Sequence, residues 1–378
     1  MSPGFPFDLP GATALYVALY VLTLVVHVGF MSYVLAGSGY VAVAAVRDRA
    51  GSRARRDPIA AVLRDWMPFA LGGAITAGVA PLLFVQVLYK ESFYTANLLL
   101  FHRWMAIIPV LMLGFYLLYL AKSKVVARAT ATVDESTVDE SGRWSRRART
   151  AISLAAFACF AVTAYSWTEN HLLALDRSEW VTFYVDRPIV YARLAVVLRA
   201  ATWIAGAFPL MTLVVAWQLR RRAGNTASDE PGTLARRLAL VAMAGLLASV
   251  ALGLAYALVS EQSHAIADLA GQATLHVAVL AVAVAAQLAA WIAIWRGRSL
   301  AGRALWLASG AAVVAVLATA LLREALRMSS LDLAALHGLH ARAAESGGMG
   351  MFALFLVINT AVIVWCIRLV ALGKTTPT

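Results

Sequence analysis

The chain has 378 residues, of which 61% are hydrophobic and only 14% are charged, and its mean hydropathy is +0.75. Soluble domains carry about 25% charged residues, so this composition excludes a soluble globular protein. The long apolar segments are rich in Ala, Val and Leu, which predicts membrane-spanning helices rather than barrel strands. In such a protein the formal net charge of +12 indicates an attraction to anionic lipid headgroups and not to nucleic acid.

Hydropathy predicts an all-α bundle of nine transmembrane helices that forms a single domain. The predicted spans are 12–38, 67–89, 101–121, 150–168, 194–218, 237–259, 269–295, 304–322 and 350–371. Residues 1–11 contain no basic segment and no cleavage signal, which predicts that the first span is retained. Cys159 and Cys366 both lie in apolar segments. Their positions exclude a covalent c-type haem, a cysteine-bound iron–sulfur cluster and a disulfide framework.

The connections between spans alternate in charge. Most of the 32 Lys and Arg residues lie in or beside one set of connections: 47–66, 122–149, 219–236, 296–303 and 372–378. The positive-inside rule predicts that this set is cytoplasmic, which puts the N-terminus outside and the C-terminus inside. The segment 122–149 contains the repeat TVDESTVDES and predicts a flexible loop. On the other side, 323–349 predicts an outer loop with a short helix.

A row of polar side chains enters the seventh span. The segment EQSHAIADLAGQATLH places Glu261, His264, Asp268, Gln272 and His276 at spacings of 3, 4, 4 and 4. On an α-helix these offsets keep the five side chains in one stripe. Ionisable groups are costly in hydrocarbon and often mark proton pathways. We therefore expect Glu261, His264 and Asp268 to carry protons, although the stripe also fits a solvated helix entrance that ends in one packed histidine.

Three histidines are candidate ligands for a b-type haem. His27 lies deep in the first span beside Gly29, His276 lies near the outer end of the seventh, and His102 begins the third. Neutral imidazole is a common axial ligand of haem iron. We expect His27 and His276 to bind the iron, with His102 as a further candidate. The alternative is that each imidazole is hydrogen-bonded to a neighbouring helix.

Several other charged or polar residues border the outer side. Arg199 lies inside the fifth span and therefore needs an anionic partner. A haem propionate, a substrate carboxylate or Asp268 fits that role. The alternative is that the Arg199 side chain extends to the membrane interface. Arg323, Glu324 and Arg327 are expected to pair locally. His337 and His340 predict a solvated helix, and the segment TENH (168–171) predicts an exposed helix end.

The first third of the chain carries a weak family pattern. His27 is followed by Gly29, and the second span reads FALGGAITAGVAPLLFVQVLYKESFY from residue 69 to residue 94. This stretch resembles the start of subunit I of the cytochrome bd quinol oxidases. That family has a haem-ligating histidine in its first helix and an F-x-x-G-x-x-T-G type of pattern in its second. The positions that match the second pattern are Phe69, Gly72, Thr76 and Gly78, whereas the family's GRQPW signature is absent.

The resemblance implies a b-cytochrome-like membrane redox subunit. The sequence therefore predicts a subunit of a respiratory electron-transfer complex in the bacterial cytoplasmic membrane. It would exchange electrons between quinol and a periplasmic c-type cytochrome or partner subunit, as a subunit of a quinol-linked oxidoreductase. Two alternatives stay open: a cofactor-free membrane anchor for a redox partner, and a proton-coupled transporter in which Arg199 binds an anionic substrate.

Overall fold

The computed structural model describes residues 5–6, 8–49, 57–122, 140–223, 231–259, 274–300, 302–329 and 331–373. These residues form an all-α fold of twelve helices. They are α1 (Gly11–Arg49), α2 (Pro58–Leu88), α3 (Lys90–Leu99), α4 (Phe101–Lys122), α5 (Glu140–Leu175), α6 (Glu179–Asp186), α7 (Leu194–Ala223), α8 (Pro231–Val259), α9 (Thr274–Gly297), α10 (Gly302–Ser329), α11 (Leu333–Glu345) and α12 (Met349–Gly373).

Nine of the described helices are long and apolar enough to cross a membrane: α1, α2, α4, α5, α7, α8, α9, α10 and α12. The predicted polytopic helix bundle is therefore confirmed. Helix α10 continues to Ser329, beyond the predicted end at residue 322, because the charged residues of its last turns are paired inside the bundle. The predicted short helix of the following connection is α11. The predicted flexibility of 122–149 concerns mainly residues 123–139, which lie outside the described residues.

Helix α1 lies at the centre of the bundle and packs against α2, α5, α7, α10 and α11. Small residues permit close helix contacts, as is usual in membranes. A Cβ at Gly245 of α8 would lie 2.7 Å from the Cβ of Phe208 and 2.9 Å from the carbonyl oxygen of Ala205, both on α7. The pair α7 and α8 consequently depends on the absence of a side chain at this position.

Helix α12 is peripheral. The ring of Phe352 packs edge-on against Phe84 of α2 at a centroid distance of 4.8 Å, while the rest of the helix is largely exposed. Most of its exposed residues are apolar, as expected for a surface that faces lipid, and the exposed Asn359 and Thr360 bond to carbonyl oxygens of their own helix.

The two ends of the bundle differ in their polar contacts. At one end the basic connections meet, and Arg237 forms an ion pair with Asp57 at 2.6 Å, while Lys122 donates to the carbonyl oxygen of Asp65. We call this end the basic face. At the other end, which we call the outer face, the contacts join α1, α2, α5, α7, α8, α10 and α11. The candidate site lies there.

A candidate anion site built on three arginines

Glu324, in the last turns of α10, is the buried carboxylate around which the site is assembled. It has 0% exposure and accepts a hydrogen bond of 2.6 Å from the hydroxyl of Tyr89, the residue that ends α2. Arg323 donates to one carboxylate oxygen at 3.1 Å, and Arg327 approaches the other at 3.5 Å. Charge-assisted hydrogen bonds of this kind stabilise an ionised carboxylate away from water.

The hydroxyl of Tyr89 is held in its donating form. Burial, followed by the negative charge of Glu324, raises the pKa of Tyr89 well above its usual value. The phenol therefore remains protonated at physiological pH and donates to the carboxylate.

Arg199 of α7 extends the cluster toward two further helices. Its Nη1 donates to the hydroxyl of Tyr256 on α8 at 2.9 Å, and its Nη2 lies 3.0 Å from Nε2 of His171 on α5. The guanidinium also stacks over the Tyr256 ring, 5.3 Å from its centroid. Arg199 is thus directed into the bundle, so the alternative that it extends to the interface is wrong.

His171 lies between two guanidinium groups. Its Nε2 contacts Arg199, and its Nδ1 contacts Arg327. An arginine only donates, whereas a neutral imidazole has one accepting nitrogen and one N–H. Only one of the two contacts can therefore be a hydrogen bond to a lone pair of the imidazole.

Aromatic rings cover the flat faces of the guanidinium groups. Arg327 lies 4.3 Å from the ring centroid of Tyr89, and Arg323 lies 5.5 Å from that of Tyr20. Cation–π contacts offset part of the cost of burying a cation. Because the faces are stacked, the N–H groups in the guanidinium plane are left to bind oxygen atoms.

The described groups of the cluster carry an excess of positive charge. Arg199, Arg323 and Arg327 supply three cations, while Glu324 supplies one carboxylate. Isolated charges in a low-dielectric interior cost several kcal/mol each. The arrangement is therefore suited to an anion, which comes either from a ligand or from an acidic side chain of the connection that follows α8.

The three predicted haem ligands lie in separate environments. His27 is half-buried, and its Nδ1 lies 2.9 Å from the carbonyl oxygen of Ala74 on α2. A Cβ at Gly78 would lie 2.9 Å from Cε1 of this imidazole, so the ring packs directly on α2. His102 is exposed, with its ring 5.5 Å from that of Phe101. No contact among the described residues joins any two of the predicted ligands.

His276, in the first turn of α9, is 9% exposed, and its ring centroid is 6.1 Å from that of Phe5. Its Nδ1 is buried and has no hydrogen-bond partner among the described residues. Glu261, His264, Asp268 and Gln272 lie outside the described residues, so the proton stripe stays a prediction. Within the described part of the chain, no three His, Cys, Asp or Glu residues are arranged to hold a metal ion.

Residues 168–170 are buried and His171 is half-buried, so the prediction of an exposed helix end there is wrong. Glu169 has 0% exposure and accepts hydrogen bonds from Nε of Arg103 at 3.1 Å and from the backbone N–H of Tyr191 at 2.7 Å. This carboxylate joins α4 and α5 to the connection before α7. The apolar run Leu172–Ala174 that follows is the sequence signal that indicates burial of this helix end.

His340 corrects the prediction of a solvated α11. It is 1% exposed, with its Nδ1 2.9 Å from the hydroxyl of Thr13 and its Nε2 3.0 Å from the carbonyl oxygen of Leu88. A carbonyl only accepts, so Nε2 carries the proton and Nδ1 accepts from Thr13. The neutral imidazole thereby fixes α11 to α1 and to the end of α2.

Comparisons of the chain with protein-family models, curated proteins and solved structures find no match. The fold and the site therefore define the class: a multi-pass membrane protein with a buried arginine cluster near one end of its helix bundle.

We expect Tyr89→Phe to destabilise the protein, because it removes a hydrogen bond to a buried carboxylate. Hydrogen bonds to charged groups contribute about 1.5–3 kcal/mol, so thermal unfolding in detergent should move to a clearly lower temperature. Tyr94→Phe, which removes a hydroxyl from an exposed side chain, is the matched control. Equal unfolding temperatures for the two variants would contradict the role of Tyr89.

The attachment of α11 is expected to weaken in acid. Burial lowers the pKa of His340, so the folded protein favours the neutral ring and loses stability as the pH falls through the unfolded value of about 6.5. Thermal unfolding should therefore show a smaller pH dependence between pH 8 and pH 5 in His340→Gln than in the wild type. His102→Gln, which changes an exposed histidine, should keep the pH dependence of the wild type. The same pH dependence in all three proteins would contradict the role of His340 in attaching α11.

Proposed function

We propose that this protein binds an anionic substrate at the arginine cluster and acts as a proton-coupled membrane transporter. The observation that carries this proposal is the convergence of the cluster's side chains. They come from α1, α5, α7, α8 and α10, with Tyr89 at the end of α2. Polar groups in the interior of a membrane bundle commonly mark a substrate or ion pathway. In a purely structural cluster we would expect the carboxylates to neutralise the arginines. Among the described residues, three arginines are instead accompanied by one carboxylate.

The placement of the cluster fits access from one side of the membrane. We propose that the basic face is cytoplasmic, by the positive-inside rule, and that the protein belongs to a bacterial cytoplasmic membrane. The cluster then opens toward the outside. Arg199 lies five residues after the start of α7, which corresponds to a depth of about 8 Å along the helix.

Proton coupling is assigned to the connection between α8 and α9. Tyr256, which binds Arg199, lies just before this connection, and His276 lies just after it. The acidic and histidine residues Glu261, His264 and Asp268 belong to this connection along the chain. Their carboxyl and imidazole groups are suited to exchange protons as a substrate anion enters and leaves.

We expect Arg199→Gln to reduce the uptake of the substrate anion strongly without unfolding the protein. The assay is proton-gradient-driven uptake of radiolabelled acetate, succinate and phosphate into proteoliposomes. Loss of a charge-assisted contact should lower the rate at limiting substrate by about tenfold to a hundredfold. Arg187→Gln, at an exposed arginine outside the cluster, should retain uptake. No uptake of any of the three anions by the wild type would argue against transport.

A second proposal is the respiratory redox subunit, and one contact of His27 favours it. Since the Ala74 carbonyl only accepts, Nδ1 of His27 carries the proton and Nε2 keeps its lone pair. Ligating histidines are usually oriented by such a bond from the other ring nitrogen. In this proposal His27 and His276 hold haem b, with His102 as a further candidate ligand, and the cluster arginines bind the propionates. The protein then passes electrons between quinol and a periplasmic c-type cytochrome or partner subunit.

An optical spectrum distinguishes the redox proposal from transport. Protein purified in mild detergent should show a reduced-minus-oxidised haem b spectrum that weakens in His27→Ala and persists in His337→Ala, a matched change on α11. A colourless preparation that still takes up an anion would exclude the redox proposal. A colourless preparation with no uptake and a tightly bound partner subunit would instead indicate a cofactor-free anchor.

A further inference from the structure

We infer that the connection between α5 and α7 inserts an apolar face into the lipid leaflet that borders the outer face of the bundle. This connection, residues 176–193, consists of α6 and the segment that returns from α6 to α7, and we call it the outer hairpin. The inference goes beyond the proposed function and does not depend on the arginine cluster.

The outer hairpin exposes a group of large apolar side chains. Val181, Tyr184, Val185 and Ile189 are each 68–73% exposed. The first three lie at positions i, i+3 and i+4 of α6, so they share one face of this helix. Single exposed apolar side chains are ordinary on a protein surface, whereas a contiguous group marks an interaction site.

The opposite face of α6 is fixed to the bundle. Phe183 is buried, and its ring centroid lies 6.1 Å from that of Tyr191. Nε1 of Trp180 donates to the carbonyl oxygen of Leu173 at 2.8 Å. The hydroxyl of Tyr191 donates to the carboxylate of Asp176 at 2.7 Å. These contacts hold the exposed apolar face in one orientation, directed away from the bundle.

A polar flank borders the exposed face of α6. Glu179, Thr182 and Asp186 follow one another at spacings of 3 and 4, which puts them on one side of the helix. The bundle, the polar flank and the exposed apolar face thus occupy three different sides of α6. This arrangement is typical of an amphipathic helix that lies in the plane of the membrane interface, with its polar side in water and its apolar side among acyl chains.

The exposed face is continuous with the lipid-facing surface of the spans. Leu194, which begins the span α7 and follows Ile189 closely in the chain, is also largely exposed. Helix α6 contacts α3, whose exposed Leu98 lies just before Phe101, the exposed first residue of the span α4. The outer hairpin therefore lies at the level where α4 and α7 reach the membrane boundary. This continuity favours lipid over a water-soluble partner protein.

The charges of the outer hairpin also favour lipid chains as its partner. Its three basic and three acidic residues balance one another: Arg177, Arg187, Arg193, Asp176, Glu179 and Asp186. Arg193 and Glu179 form an ion pair with each other. A balanced segment produces little long-range attraction for a charged partner surface. Burial of the apolar side chains is consequently the interaction that this face offers.

The test places a fluorescent label at single cysteines of the full-length protein in phosphatidylcholine nanodiscs, after Cys159→Ala and Cys366→Ala. Labels at Val185→Cys and Ile189→Cys should lose most of their fluorescence when the lipids carry a nitroxide near the headgroup end of an acyl chain. They should lose little when iodide is added to the water. Thr182→Cys, on the polar flank, is the matched control and should respond in the reverse manner. All three positions are exposed, so the labels replace no packing contact.

Two outcomes would overturn the inference. If iodide quenches the labels at Val185→Cys and Thr182→Cys equally and the lipid nitroxide quenches neither, the outer hairpin stands in water. If the label at Val185→Cys is protected from both quenchers, a second copy of the chain or a co-purified protein covers the exposed face in place of lipid. The proposed anion transport is measured separately by Arg199-dependent uptake, which neither outcome affects.

Discussion

The ion pairing of one fully buried carboxylate is the constraint on which the outer half of this bundle depends. Glu324 lies in a membrane-spanning helix, where an unpaired carboxylate would be protonated or excluded. Its contacts with Arg323, Arg327 and Tyr89 keep it ionised and tie α10 to the end of α2. Removal of any one partner leaves the others with unmatched charge, which makes this region sensitive to single substitutions.

The two halves of the bundle are held together by different interactions. Toward the basic face, a core of apolar side chains and small residues fills the space between helices, with Met67, Met211 and Trp291 among its largest buried members. Toward the outer face, a second apolar core, with Val17, Leu88 and Met328 among its buried members, adjoins the ion pairs of the cluster. Dispersion between close helices needs no particular partner, whereas each buried charge requires one. The polar half therefore has the more specific geometry, and the candidate site lies there.

Helix α11 connects this polar half to the outer connections. His340 donates to the carbonyl of Leu88, which immediately precedes Tyr89 of the cluster, and accepts from Thr13 of α1. The position of α11 is thus linked through one residue to the phenol that binds Glu324. The predicted haem ligands are arranged differently: His27 is oriented by α2, and His276 begins α9.

The sequence by itself determined the membrane fold, the nine spans and the alternation of charge, because hydropathy and helix length are local properties of the chain. It also identified Arg199 as a cation inside an apolar segment that needs a partner, and left open whether the side chain extends to the interface. Tertiary structure decided its partners. His171 and Tyr256 come from two different helices, and no spacing along the chain relates them to Arg199. The burial of Glu169 and His340 was missed for the same reason: polar residues near a helix end are solvated or enclosed according to which neighbouring helices cover them. Burial in this bundle is a property of helix packing, whereas membrane insertion is a property of each segment.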